Sequence, residues 1–179
     1  MASKSNDDIT LSKQVIEMAT VANEFCYFVE NIEKKEKEIV LEFMQRILPL
    51  LHLKGSLLPE IEPEHPEANE RFVTEEQWER GFNELRQTLG EDDEYWIIDP
   101  QYINDTEPLK ASLSENITDI YQDMKDFLLL MQKNTHAARE NAISECKILH
   151  ANHWGYRVGN IFTRIHHLIY FEEDSSSDF

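Results

Sequence analysis

Between Leu113 and Met131 an apolar stripe recurs at Leu113, Ile117, Ile120, Tyr121, Met124, Phe127, Leu128 and Met131. Steps of three and four put all of them on one side of an α-helix of about five turns. Such a stripe needs equally long apolar partners, and the chain supplies them at the same spacing. Val15, Met18, Ala22, Phe25, Cys26, Val29 and Ile32 form one; Ile39, Val40, Phe43, Met44, Ile47, Leu48 and Leu51 form another. Trp78, Phe82 and Leu85 form a shorter third, and Leu149, Trp154, Val158, Ile161, Ile165 and Leu168 close the set. With only 5 Gly and 6 Pro among 179 residues, tight turns are scarce and the elements must be long. The expected fold is all-α, a single bundle-like domain of about five helices spanning 1–179. Residues 1–9 and 172–179 are expected to be disordered, being polar or acidic ends without an apolar pattern.

Local signals place the boundaries. Thr74-Glu75-Glu76-Gln77 and Ser112-Leu113-Ser114-Glu115 are capping boxes, in which side chains satisfy the first free amides of helices three and four. Val73 and Trp78 occupy staple positions around the first, and Gly90 is a natural stop. Pro49 lacks an amide hydrogen, so helix two is expected to end or kink there. The last helix is expected to run from about Thr135 to Tyr170, roughly 50 Å if unbroken, with Gly155 and Gly159 inside it. Between helices three and four lies an irregular acidic connection in which Tyr95-Trp96-Ile97-Ile98 reads as a short extended piece or a pinned loop.

The charge balance excludes some partners. Against 17 Lys and Arg stand 35 Asp and Glu, a formal net charge of -18. Nucleic-acid affinity rests on cations that displace counterions from phosphate, so neither nucleic acid nor an anionic membrane is an expected partner. The acids concentrate in residues 60–99, where 14 face 3 bases. Two widely separated cysteines, Cys26 and Cys146, have neither metal-ligand nor disulfide spacing, and MASKSNDDIT lacks the apolar core of a secretion signal. A reducing cytoplasm is the expected compartment.

One segment stands apart. His150–Tyr170 is basic and carries four of the seven histidines. On a helical wheel a second line runs beside its apolar stripe: Cys146, His150, His153, Arg157, Asn160 and Arg164. That line borders the buried face, where polar side chains are half desolvated and can meet a ligand. His150 and His153 suit metal ligation or acid–base work, though paired boundary histidines bonded to carboxylates or carbonyls are the commoner arrangement. Arg157 and Arg164 suit an anion clamp, or pairing with carboxylates of helix four. There Glu115, Asp119, Asp123 and Asp126 lie off the apolar stripe. They are read as a solvated acidic face first and as a divalent-cation site second. Glu62-x-x-His65 is discounted as a metal pair because Pro63 and Pro66 oppose a helix. No Gly-rich phosphate loop, His-Glu-x-x-His, Gly-x-Ser-x-Gly or Cys-x-x-Cys is present.

TDIYQDMKDFLLL (118–130) and HANHWGYRVGNIFTRIHHL (150–168) together resemble the paired signature of an uncharacterised family of small bacterial helical proteins. VANEFCYFVEN (21–31), LPLLHLKGSLLP (48–59) and YWIIDP are similar to its remaining segments. The resemblance implies an all-helical bacterial cytoplasmic protein of gut-bacterial type, with no activity, substrate or cofactor attached. It selects the same two helices as the wheel.

The expectation is therefore a non-enzymatic protein- or ligand-binding module with its site between helix four and the last helix. Its candidate residues are Asp119, Asp123, Asp126, His150, His153, Trp154 and Arg157. No resident metal or cofactor is expected. The alternative is a metal-dependent hydrolase using Asp119, Asp123, His150 and His153. A weaker one is an acidic inhibitor of a cationic partner.

Overall fold

The computed structural model describes residues 8–98 and 107–171. Among them are six α-helices: α1 (Lys13–Glu30), α2 (Lys37–Ser56), α3 (Glu75–Leu89), α4 (Leu113–Gln132), α5 (His136–Asn152) and α6 (Trp154–Tyr170). A single hairpin of β1 (Glu94–Ile97) and β2 (Leu109–Ser112) joins α3 to α4, antiparallel with Glu94 opposite Ser112. The stripe on α4 makes it the central element, in contact with α1, α3, α5 and α6, while α2 packs on α1, α5 and α6. Among the described residues no helix is long and apolar enough to cross a membrane.

The first capping box forms in full, and the second forms its N-cap bond. Thr74 Oγ1 accepts from the Gln77 amide while the Gln77 side chain accepts from the Thr74 amide, and Ser112 Oγ accepts from the Glu115 amide. Asn134 in the left-handed region ends the helical run of α4. α2 runs through Pro49 rather than ending there. Its ring lies on the exposed side, where a missing amide is tolerated more easily than in the core.

Three further expectations change. The last helix is two helices, because His153 (φ -138°, ψ -86°) leaves helical geometry between α5 and α6. The reason lies two residues on: a Cβ at Gly155 would stand 2.2 Å from the His150 carbonyl oxygen. Only glycine lets the chain begin α6 so close to the end of α5. Gly159, by contrast, has open space around it. The α3 stripe buries less than its pattern promised: Leu85 and Leu89 are buried, while Trp78 and Phe82 stack on each other half-exposed. Ile9 and Asp8, expected to be disordered, are instead held in place, Asp8 by side-chain bonds. Its carboxylate accepts from Thr10 and from Arg139 on α5, and Ile9–Leu11 form a 3-10 turn. Residues 1–7, 99–106 and 172–179 lie outside the described residues.

Candidate functional site

The three aspartates chosen on α4 do form a line, but not a solvated one. Asp123 and Asp126 are 4% and 6% exposed. The wheel sorted residues by apolar neighbours on their own helix and could not see what covers the flank. On one side lies the segment leading into α3, and on the other the start of α6.

Each aspartate is shared or capped across this seam. Asp119 accepts from Trp78 Nε1 at 3.0 Å on the α3 side and from Arg157 Nε at 2.9 Å on the α6 side. Asp123 accepts from Arg71 Nη1 at 3.1 Å and from His153 Nδ1 at 2.5 Å. Asp126 accepts the backbone amides of Phe72 and Val73 at 2.7 and 2.9 Å, and Arg71 Nη1 at 3.2 Å. Arg71 also reaches Glu145 of α5. Burial alone would lower the affinity of Arg71 for its proton, but Asp123 and Asp126 reverse this and hold it more firmly charged. The result is a polar zipper along α4 that fastens the α3 approach to α5 and α6. It matters because α3 buries only two residues of its own.

The zipper gathers Asp119, Asp123, Asp126, His153 and Arg157, and leaves out His150 and Trp154. The break at His153 separates what an unbroken helix would have kept on one line. His150 packs instead between the rings of His52 and Trp154, each centroid 4.7 Å away. Burial, reinforced by the nearby His52, pushes its pKa below the ordinary value. Trp154 is fully buried, donates Nε1–H to the Cys146 carbonyl, and lies against Gly55 of α2. It is a core residue.

Asp119, Asp123, His150 and His153 therefore do not converge on one point. Among the described residues no group of three His, Cys, Asp or Glu has the placement to hold a metal ion. The cavity beside the zipper, lined by Arg71, Asp123, Asp126 and Glu145, has a volume of about 10 Å³, the size of one water. His153 shows an Asp–His arrangement with Nδ1 on a buried carboxylate, yet no hydroxyl or thiol is hydrogen-bonded to it among the described residues. Cys146 is buried and its thiol is pushed well up by desolvation, so it cannot serve as a nucleophile. Arg164, read as an anion clamp or as a partner for helix-four carboxylates, stands 3.7 Å from Asp92 in the turn before β1.

Arg71 is the main residue that sequence reasoning missed. It sits in an irregular acidic stretch with no periodicity to flag it. Its one signal was being the first base in a run of acids from Glu60 onward.

A family model described as a domain of unknown function, DUF5063, matches residues 9–171. The chain belongs to the DUF5063 family. The match takes in every element of the fold and the whole zipper. Among solved structures, the crystal structure of protein BF1032 from Bacteroides fragilis is similar at 32% identity, over 96% of this chain and 99% of that one, with a TM-score of 0.82. The helical DUF5063 fold is thus shared with that protein. Comparison with curated proteins gave no match.

Proposed function

We propose that this DUF5063 protein is a non-enzymatic module that binds a protein partner or small ligand at the seam between α4 and α6. The observation supporting this reading is the gradient of exposure across the zipper. Asp123 and Asp126 are buried and Asp119 is half-buried, whereas the side chains capping them, Arg71, His153 and Arg157, remain 45%, 33% and 27% exposed. Among the described residues Arg157 bonds Asp119 through Nε alone, which leaves its two amino groups for an outside carboxylate or carbonyl. A guanidinium fixed from behind by a buried carboxylate loses little freedom on binding, which favours recognition. Acid–base or metal chemistry asks for the opposite: a carboxylate with an open lone pair beside a cavity that admits substrate.

The test titrates the full chain with short acidic, neutral and basic peptides, in parallel with ester and phosphoester hydrolysis assays containing Mg²⁺, Mn²⁺ or Zn²⁺. Carboxylate-bearing peptides should bind, Arg157→Ala should weaken them, and no metal should stimulate turnover. Metal-stimulated hydrolysis lost in Asp123→Asn would replace this reading with the hydrolase. One observation favours the inhibitor reading as a second: Glu60, Glu62, Glu64, Glu75, Glu76 and Glu79 are all exposed and make no ion pair among the described residues. Capture of a basic partner at low salt, released as salt rises, tests it.

A further inference from the structure

His153 and Arg157 stand four residues apart at the start of α6, and they cap two aspartates that stand four residues apart on α4. The two caps therefore form neighbouring rungs, one helical turn apart. On the His153 rung, Asp123 accepts from Nδ1, so that nitrogen keeps the ring proton and the ring keeps its orientation. The carboxylate behind it is 3% exposed and cannot swing out, whereas the histidine is 33% exposed. Nε2, the other ring nitrogen, makes no bond among the described residues.

The state of Nε2 decides what this rung offers. Neutral, it presents a lone pair, which repels a carboxylate; protonated, it presents an N–H and a positive charge beside Arg157. The charged and titratable groups around the ring come from every element of the seam. They are Asp119, Asp123 and Asp126 from α4, Arg71 from the approach to α3, Glu145 from α5 and Arg157 from α6 itself. His150 of α5 is turned away, packed on His52 and Trp154. Four carboxylates thus meet two guanidiniums, and a proton on His153 brings positive charge where the seam is short of it. An incoming carboxylate calls for the same proton.

We propose that His153 is the second anchor, beside Arg157, for a partner's carboxylate at the α4–α6 seam, and that binding takes up a proton on Nε2. The site then loads in mild acid and releases its partner as the pH rises, with the proton drawn from and returned to water. This regulation rests on the seam being the binding site, and it adds a property that the seam reading alone does not require.

Calorimetric titration of the full chain with acetyl-Glu-Ala-Glu-amide and acetyl-Gln-Ala-Gln-amide, at pH 5.5 and pH 8.0 and constant ionic strength, tests it. Glu side chains of a peptide ionise at about pH 4.3, so the probe is charged at both and any change reports on the protein. The acidic peptide should bind about tenfold tighter at pH 5.5, the scale of one charge-assisted hydrogen bond, and the neutral peptide should bind at neither pH. Titrations at pH 7 in buffers of different ionisation enthalpy should show net proton uptake, a readout that needs no variant. His153→Gln should bind weakly at both pH values, whereas His153→Lys, charged throughout, should stay tight at pH 8.0. His166→Gln, exposed near Tyr170, should follow the parent and so exclude a general effect of net charge. Equal binding at both pH values, absence of proton uptake, or a His153→Gln protein with the parent's pH dependence overturns the proton linkage and leaves the seam reading standing. No binding at millimolar peptide at either pH, in the parent and in His153→Lys alike, removes both.

Discussion

Gly55→Ala is the substitution for which general helix chemistry and this structure predict opposite signs. In an ordinary helix interior, replacing Gly by Ala stabilises by about 1 kcal/mol, because the unfolded chain loses freedom it would otherwise keep. Here a Cβ at residue 55 would lie 2.2 Å from Trp154 Cη2, 2.6 Å from Cζ2 and 2.9 Å from His150 Cδ2. Ordinary contact begins near 3.4 Å, so the indole would have to retreat by roughly 1.2 Å. Trp154 is fully buried, with its Nε1–H held by the Cys146 carbonyl, so retreat disturbs α2, α5 and α6 together. Overpacking of this kind costs about 3 kcal/mol, leaving a net loss of about 2 kcal/mol after the helix gain. In a chain of this length that lowers the Tm by roughly 4–8 °C. Urea unfolding followed by far-UV circular dichroism measures it. Trp154→Phe removes the ring atoms that collide, so the double variant should be more stable than the sum of the single losses by about 1–2 kcal/mol. A Gly55→Ala protein as stable as the parent, or strict additivity in the cycle, refutes the claim that Trp154 is seated on the α2 backbone.

Two further outcomes follow from burial. The pKa of His150 lies below 6.5 in the folded state, so the fold favours its neutral form; that contribution is present above pH 6.5 and is lost as pH falls below it. His150→Phe keeps a ring between His52 and Trp154 and should show a shallower loss of stability between pH 7 and 5 than the parent, measured by denaturant titration at each pH; an equal slope contradicts the assignment. Cys26 and Cys146 are buried with thiols pushed well above their ordinary pKa by desolvation, so both should resist alkylation by iodoacetamide in the native protein and react on unfolding in urea, as read by mass spectrometry. Rapid native labelling of either would place that thiol at the surface.

The helices were legible because a stripe such as Val15 to Val29, or Ile117 to Leu128, is a one-dimensional record of a buried face. The caps at Thr74 and Ser112 were legible for a related reason: their chemistry is complete within four residues. What the sequence hid depends on residues distant in the chain. β2 at Leu109–Ser112 exists only by pairing with β1, and LKAS has neither alternation nor turn signals to announce it. The break at His153 is permitted by Gly155, which lacks the Cβ that would collide with the carbonyl of His150, a close approach that periodicity does not encode. The candidate site was half legible. Its α4 and α6 members lie on continuous wheels, whereas Arg71 and the amides of Phe72 and Val73 come from an aperiodic segment. Lacking those donors, the aspartates read as a solvated face when they are in fact covered and paired. The break at His153, equally absent from the wheel, is why His150 and His153 looked like a pair although they serve different neighbours.

The aspartates of α4 hold the approach to α3 against the bundle. Asp126 carries most of that attachment, since it accepts two backbone amides and Arg71. Removing a buried, multiply bonded carboxylate costs about 3–5 kcal/mol, and α3, with only Leu85 and Leu89 buried, has little else to retain it. Hydrogen exchange followed by mass spectrometry on Asp126→Ala reads this directly. Peptides covering residues 69–78 should exchange at least tenfold faster than in the parent, while those from α1 and α2 stay protected. Unchanged protection of residues 69–78 would contradict the account.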